Sequence, residues 1–143
     1  MKKQTKKGFT LVELVIVIAV IAILSAILIP TFGNVISQAK ENAAQEDART
    51  AYQQFLMENK DNDIVTSENY TAYILVDATE SSSSISNATY VYSFADGALK
   101  KVQFSEVAGN EANAAITVNN TLTAGQAYAL AKAKMYIVFK ANN

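Results

Sequence analysis

The chain has 143 residues, with twelve basic and thirteen acidic side chains and neither cysteine nor histidine. That excludes a disulfide framework, thiol chemistry, and imidazole as a general base or metal ligand. The net charge of −1 hides an asymmetry, because four lysines precede residue 8 and the remaining eight basic against thirteen acidic residues leave −5. An acidic body of this kind argues against nonspecific nucleic-acid binding.

The length predicts one domain plus an extension. The extension comes first. Lys2, Lys3, Lys6 and Lys7 lead into Leu11–Ile29, LVELVIVIAVIAILSAILI, whose only charge is Glu13 and whose only hydroxyl is Ser25. With Phe9 and Thr10 this stretch would make roughly 31 Å of helix, matching the ~30 Å apolar thickness of a bilayer. A secretory signal has a shorter apolar core of roughly 7–15 residues. A plain signal anchor with its lysines in the cytosol fits, as does a segment processed ahead of the apolar run, between the lysines and Phe9.

The residues Lys7-Gly8-Phe9-Thr10-Leu11-Val12-Glu13-Leu14 separate these readings. From Lys7 to Pro30 the sequence resembles the class III signal of the type IV pilin family. The resemblance covers about the first 35 residues and implies cleavage between Gly8 and Phe9, with N-methylation of Phe9. It also implies that the Phe9 amine and Glu13 of neighbouring subunits pair during assembly. The residues make sense of this. Gly8 lets a peptidase approach the bond closely. Glu13, near the interface in a membrane precursor, would need a partner once enclosed in a bundle of helices. The family usually has a disulfide-closed loop in diderm bacteria, and its absence fits a Gram-positive source.

After the span, Pro30 predicts a kink in one long helix, since proline lacks an N–H and clashes with the preceding turn. From Phe32 to Leu56 apolar residues recur every three or four positions, the pattern of an amphipathic helix. Ala43, Ala44 and Ala48 read either as a close-approach surface for neighbouring helices or as a solvated turn of good helix formers. Tyr52, Phe55 and Leu56 are expected to anchor the helix to the head. Asn59–Asn69 reads as a loop, and its Asp61, Asn62, Asp63 and Glu68 lack the pattern of a calcium loop. No metal site or cofactor is expected.

Thr71–Asp77 reads as an inner strand, with Ala72, Ile74 and Val76 on one face and Tyr73 and Leu75 on the other. Glu80–Asn87 reads as an exposed loop. Asn69, Asn87 and Asn119 head N-x-T triplets, which carry little weight behind a bacterial leader. Two alternating runs, Ala88–Ala95 and Ala98–Ser105, flank Asp96-Gly97 and predict a hairpin with a type I′ turn. Tyr90, Tyr92 and Phe94 would share a face, packed by Val102 and Phe104, with Lys101 and Gln103 outside. Glu106–Asn113 reads as loop, Ala115–Asn119 as a short strand, Thr123–Lys134 as a helix capped by Thr123, and Met135–Lys140 as a last strand. Lys132, Lys134 and Lys140 are candidates for a basic patch, or else solvated lysines.

The expected fold is α+β: a long kinked N-terminal helix packed on a small antiparallel sheet. Its expected parts are a cleaved basic leader (1–8), a membrane and filament-core helix half (9–30), an amphipathic helix half (31–58) and a globular head (59–143). The resemblance implies a structural pilin, not an enzyme. It would move from the cytoplasmic membrane, head outside, to a surface filament of identical subunits for adhesion, motility or biofilm. The implied partners are a prepilin peptidase, an assembly ATPase and membrane platform proteins. The alternative is a pseudopilin of a type II secretion or DNA-uptake machine.

Overall fold

The computed structural model describes residues 7–109 and 114–142. The chain divides into two compact units, Met1–Lys40 and Glu41–Asn143. Helix α1, Leu11–Glu58, contributes to both. The helix continues through Pro30, so the Ala26 carbonyl loses its usual N–H partner.

The second unit is built on a six-stranded antiparallel sheet. Its strands are β1 (Tyr70–Ser81), β2 (Ser84–Ala95), β3 (Ala98–Val102), β4 (Ile116–Thr117), β5 (Ala127–Ala129) and β6 (Tyr136–Ala141), in the order β3-β2-β1-β6-β5. Strand β4 pairs with the start of β2. As its doubly apolar sequence requires, β1 lies in the interior, between β2 and β6. Its two faces feed two cores. Ala72, Ile74 and Val76 join Tyr92, Ile137 and Phe139 under α1. Leu75 and Ala78 join Ile85, Val91, Tyr136 and Val138 on the other face, where α3 (Phe104–Ala108) contributes Val107. A long helix on a small antiparallel sheet is the α+β architecture expected.

The helix meets the sheet along Ala44, Ala48, Ala51, Tyr52 and Phe55, a stripe at helical spacing. Ala48 is fully enclosed. Small side chains let the helix axis approach the sheet closely, and the aromatic residues then fill the space further along. Tyr52 lies against Phe94 with ring centroids 4.4 Å apart, and Phe55 lies 5.9 Å from both Tyr128 and Phe139. The anchoring role expected of Tyr52 and Phe55 holds. The reading of the alanines needs correction: Ala44 and Ala48 face the chain's own sheet, while Ala43 is exposed. Polar contacts flank the seam. The Tyr92 hydroxyl donates to the Glu41 carbonyl at 3.2 Å, Lys101 Nζ lies 2.8 Å from Glu41 Oε2, and Lys132 pairs with Asp47.

The Asp96-Gly97 hairpin forms as expected, with both residues at positive φ (53° and 76°). Its register corrects the assignment of faces. A two-residue turn pairs Phe94 with Leu99, Tyr92 with Lys101 and Val91 with Val102. Directly paired residues share a face. Leu99 and Lys101 therefore accompany the aromatic stripe, and Lys101 Nζ sits 5.8 Å from the Tyr90 ring centre. Val102 and Phe104 pack on the opposite face.

Four further expectations change. Glu80–Asn87 is no open loop: β1 and β2 run on to a tight turn at Ser82 and Ser83, both at positive φ (50° and 65°). Within Asn59–Asn69, a short helix α2 (Asp63–Thr66) starts where Asn62 Oδ1 accepts from the Ile64 N–H at 3.0 Å. Its Ile64 and Val65 pack against the core. Within Glu106–Asn113, the first residues belong to α3, and residues 110–113 lie outside the described ones. Thr123–Lys134 is not helical. Gly125 and Lys134 take positive φ (78° and 57°), and Ala127–Ala129 pairs with β6. Burial of Ala127 and contact of Tyr128 with Phe55 outweigh the helix propensity of the alanines. The three C-terminal lysines form no common patch: Lys132 pairs with Asp47, Lys134 lies 3.9 Å from Asp77, and Lys140 donates to the Glu106 carbonyl at 2.8 Å.

Two predictions follow from this packing. Ala48→Leu overfills the helix–sheet seam and should destabilise the head by about 1–3 kcal/mol, whereas Ala43→Leu should stay within about 0.5 kcal/mol. Urea unfolding of the detergent-solubilised chain, followed by tyrosine circular dichroism, checks both. The second concerns alkaline pH. Tyr136 donates to Glu80, and this bond, with burial, pushes its phenol up to about 12. Burial, with Glu41 and Tyr90 nearby, pushes Tyr92 up to about 12 as well. Unfolding returns both to about 10, so the unfolded chain releases protons first. The stabilisation is complete below pH 10 and is lost as pH rises through about 12. A melting-temperature series from pH 9 to 12 should show this fall, and Tyr136→Phe should make it shallower.

Candidate processing and assembly site

The first unit has a different chemical character. Its apolar side chains are not covered: Phe9 is 94% exposed, and Leu11, Ile16, Ile23, Ile27 and Ile29 are all more than half exposed. By length and composition α1 is able to cross a membrane, and its apolar window is unburied. The hydroxyls within and beyond this stretch are satisfied along the helix itself. Ser25 Oγ donates to the Ile21 carbonyl at 2.7 Å, Thr31 Oγ1 to Ile27 at 3.0 Å, and Ser37 Oγ to Gly33 at 3.0 Å. Such back-bonding hides polar atoms that lipid would not solvate.

Glu13 is the exception in charge, and its surroundings are specific. Its Oε2 accepts from the Thr10 N–H at 2.9 Å, while the Glu13 N–H donates to Thr10 Oγ1 at 3.2 Å. These two reciprocal bonds form a capping box, with Thr10 as N-cap and Glu13 at the third helical position. The Leu14 N–H then donates to the Thr10 carbonyl at 3.2 Å, the first bond of the helical ladder. Glu13 also lies where the positive end of the helix dipole favours a carboxylate. The Thr10-x-x-Glu13 spacing is a helix-start signature, a signal in the sequence beyond the charge of Glu13. Phe9 and Leu14 occupy the positions of a hydrophobic staple around this cap.

Because the cap starts α1 at Leu11, residues 7–10 are not helical, and Gly8 and Phe9 lie in the non-helical lead. A Cβ added to Gly8 would meet nothing within 4 Å. The fold itself therefore places no demand for glycine at this position. Gly8, Phe9 and Glu13 fall within six residues at one end of α1, while Pro30 stands apart, about five turns along. The lysines Lys2, Lys3 and Lys6 lie outside the described residues. Among the described residues no cluster of acidic side chains is arranged to hold a metal ion.

Comparison with known proteins bears on this same end of the chain. The family described as the prokaryotic N-terminal methylation motif matches residues 3–29. The type IV major fimbrial protein FimA of Dichelobacter nodosus is 40% identical over 62 residues, covering 41% of this chain and 40% of FimA. Fimbrial protein EcpC of Eikenella corrodens is 48% identical over 44 residues, covering 31% of this chain and 29% of EcpC. The chain thus spans about two-fifths or less of the curated relatives it matches. No solved structure matches. The relatives are structural fimbrial subunits and not enzymes. The methylation motif, the fimbrial relatives and an apolar N-terminal helix support a type IV pilin.

Proposed function

We propose that the chain is the repeating structural subunit of a type IV pilus. The observation that supports this most is an uncovered apolar helix led by Phe9-Thr10 directly after Gly8, with Glu13 in its first turn. In this reading the precursor sits in the cytoplasmic membrane, lysines in the cytosol and head outside. A prepilin peptidase removes residues 1–8 and Phe9 is N-methylated. An assembly ATPase and platform proteins then draw the subunit into a helical filament used for adhesion, motility or biofilm. The apolar half (9–30), kinked at Pro30, forms the filament core, residues 31–58 carry the helix onward, and the head (59–143) forms the exterior. The cysteine-free head supports a Gram-positive source.

The energetics favour a specific docking contact. Moving α1 from lipid into a bundle of like helices is nearly neutral for apolar area, since lipid is as apolar as leucine. Packing and the polar groups then bias the transfer. A carboxylate at mid-membrane depth costs roughly 2.5–3.5 kcal/mol on insertion scales, and an unpaired one inside a bundle costs more. The Phe9 amine of a neighbour displaced by about one turn supplies the compensating charge.

Mass spectrometry of surface fibres should find a mature chain beginning at methylated Phe9. Gly8→Val should leave uncut precursor and no surface filament, with the tyrosine dichroism of the head unchanged. Normal filaments from that variant would refute the reading. Glu13→Ala should be processed normally yet lose filaments by an order of magnitude or more, as expected when a buried charge is left without its partner. Immunogold labelling with antibody to the head separates long surface pili from the short, envelope-bound assembly of a pseudopilin.

A further inference from the structure

Helix α1 enters the second unit at Glu41. Its buried residues from there on are Ala44, Ala48, Ala51, Tyr52 and Phe55. The first large side chain to wedge against the sheet is therefore Tyr52. Upstream of it the seam rests on alanine methyls, which bury little apolar area and hold the helix weakly.

Charge makes up the deficit. Glu41 and Asp47 stand three residues before and after Ala44, which at about 100° per residue puts them about 60° to either side of its direction. Each meets a lysine from a different border of the sheet. Lys101, on the outer strand β3, lies 2.8 Å from Glu41. Lys132, in the turn that follows the other outer strand, β5, pairs with Asp47. All four side chains are about half exposed.

We propose that the Lys101–Glu41 and Lys132–Asp47 pairs are two straps that close residues 41–48 of α1 onto the sheet, and that salt releases them. With the straps open, this stretch lifts while remaining helical, and the head stays anchored at Tyr52 and Phe55. Dissolved ions shorten the reach of exposed charges from about 10 Å at 0.1 M to about 3 Å at 1 M, and neutral aromatic packing has no charge to screen. The seam is thus soft and electrostatic upstream, firm and apolar downstream. The straps belong to the head alone and stand apart from the pilin reading.

The chain has no cysteine, so a single introduced thiol reports by itself. Ala48 is fully enclosed in the seam, and a thiol there reacts only when the stretch lifts. Ala127 is equally enclosed but belongs to the core on the other face of the sheet. Ala48→Cys and Ala127→Cys, each in the detergent-solubilised full chain, are labelled with uncharged iodoacetamide at one pH. From about 20 mM to about 500 mM NaCl, labelling at position 48 should quicken at least about fivefold, and labelling at position 127 should change less than about twofold. Adding Lys101→Met and Lys132→Met should quicken labelling at position 48 by a similar factor already at low salt, and extra salt should then add less than about twofold. Ala44→Cys reports on the same stretch should Ala48→Cys disturb the fold.

Salt-independent labelling of the seam in the parent background overturns the proposal. So does a double lysine variant that labels as slowly as the parent at low salt. A rise at position 127 in step with position 48 also overturns it, because the whole head would then be opening.

Discussion

An apolar helix surface that its own fold leaves uncovered is the constraint on which the rest depends. From Leu11 to Ile29 the side chains stand open, and water is a poor solvent for all of them. Lipid and copies of the same helix both satisfy this surface, and about equally well in area. The choice between them therefore passes to the few polar groups present. Ser25 and Thr31 have bonded to their own helix backbone and take no side. Glu13 alone carries charge, and its capping box satisfies it locally while leaving capacity on the second oxygen. In the proposed assembly, one carboxylate would thus have an influence out of proportion to its size.

The same helix changes its chemistry along its length. Beyond Lys40 it presents alanine to its own sheet, then aromatics, and its surface becomes that of an ordinary amphipathic element. Close approach at Ala44 and Ala48 lets Tyr52 and Phe55 reach Phe94, Tyr128 and Phe139. This interlock, together with a sheet covered on both faces, gives the head a core without disulfides. The C-terminal region is secured by polar contacts. Asn142 donates from its backbone to the Asn69 carbonyl and from its amide to the Glu68 carbonyl, and accepts from the Thr71 hydroxyl.

Much of this was legible in the residues. The membrane-length run, the long helix, the doubly apolar β1 and the Asp96-Gly97 turn all carry strong local signals. What was missed falls into three physical classes. Register is arithmetic, and counting outward from Asp96-Gly97 gives the pairing of Val91 with Val102 and hence the correct face. The Ser82-Ser83 turn gave no warning, because serine seldom adopts positive φ and nothing local demands it there. The fate of Thr123–Lys134 was decided at long range: β6 offers hydrogen bonds and α1 offers Phe55, and neither is visible from an alanine-rich segment. At the site, Glu13 was found from its charge, whereas its partner Thr10 required the three-residue spacing to be weighed as well.

The placement of β1 has a consequence for the order in which the head is made. Its neighbour on one side, β2, follows after a two-residue turn, so those strands can zip together as soon as both have been synthesised. Its neighbour on the other side, β6, comes some sixty residues later. Through that interval an edge of the central strand stands open, with its backbone donors and acceptors free to bond a passing chain. A tether that holds each half-finished head apart from the next, as an N-terminal helix lodged in lipid would do, protects the molecule during the stage when it is most exposed to mispairing.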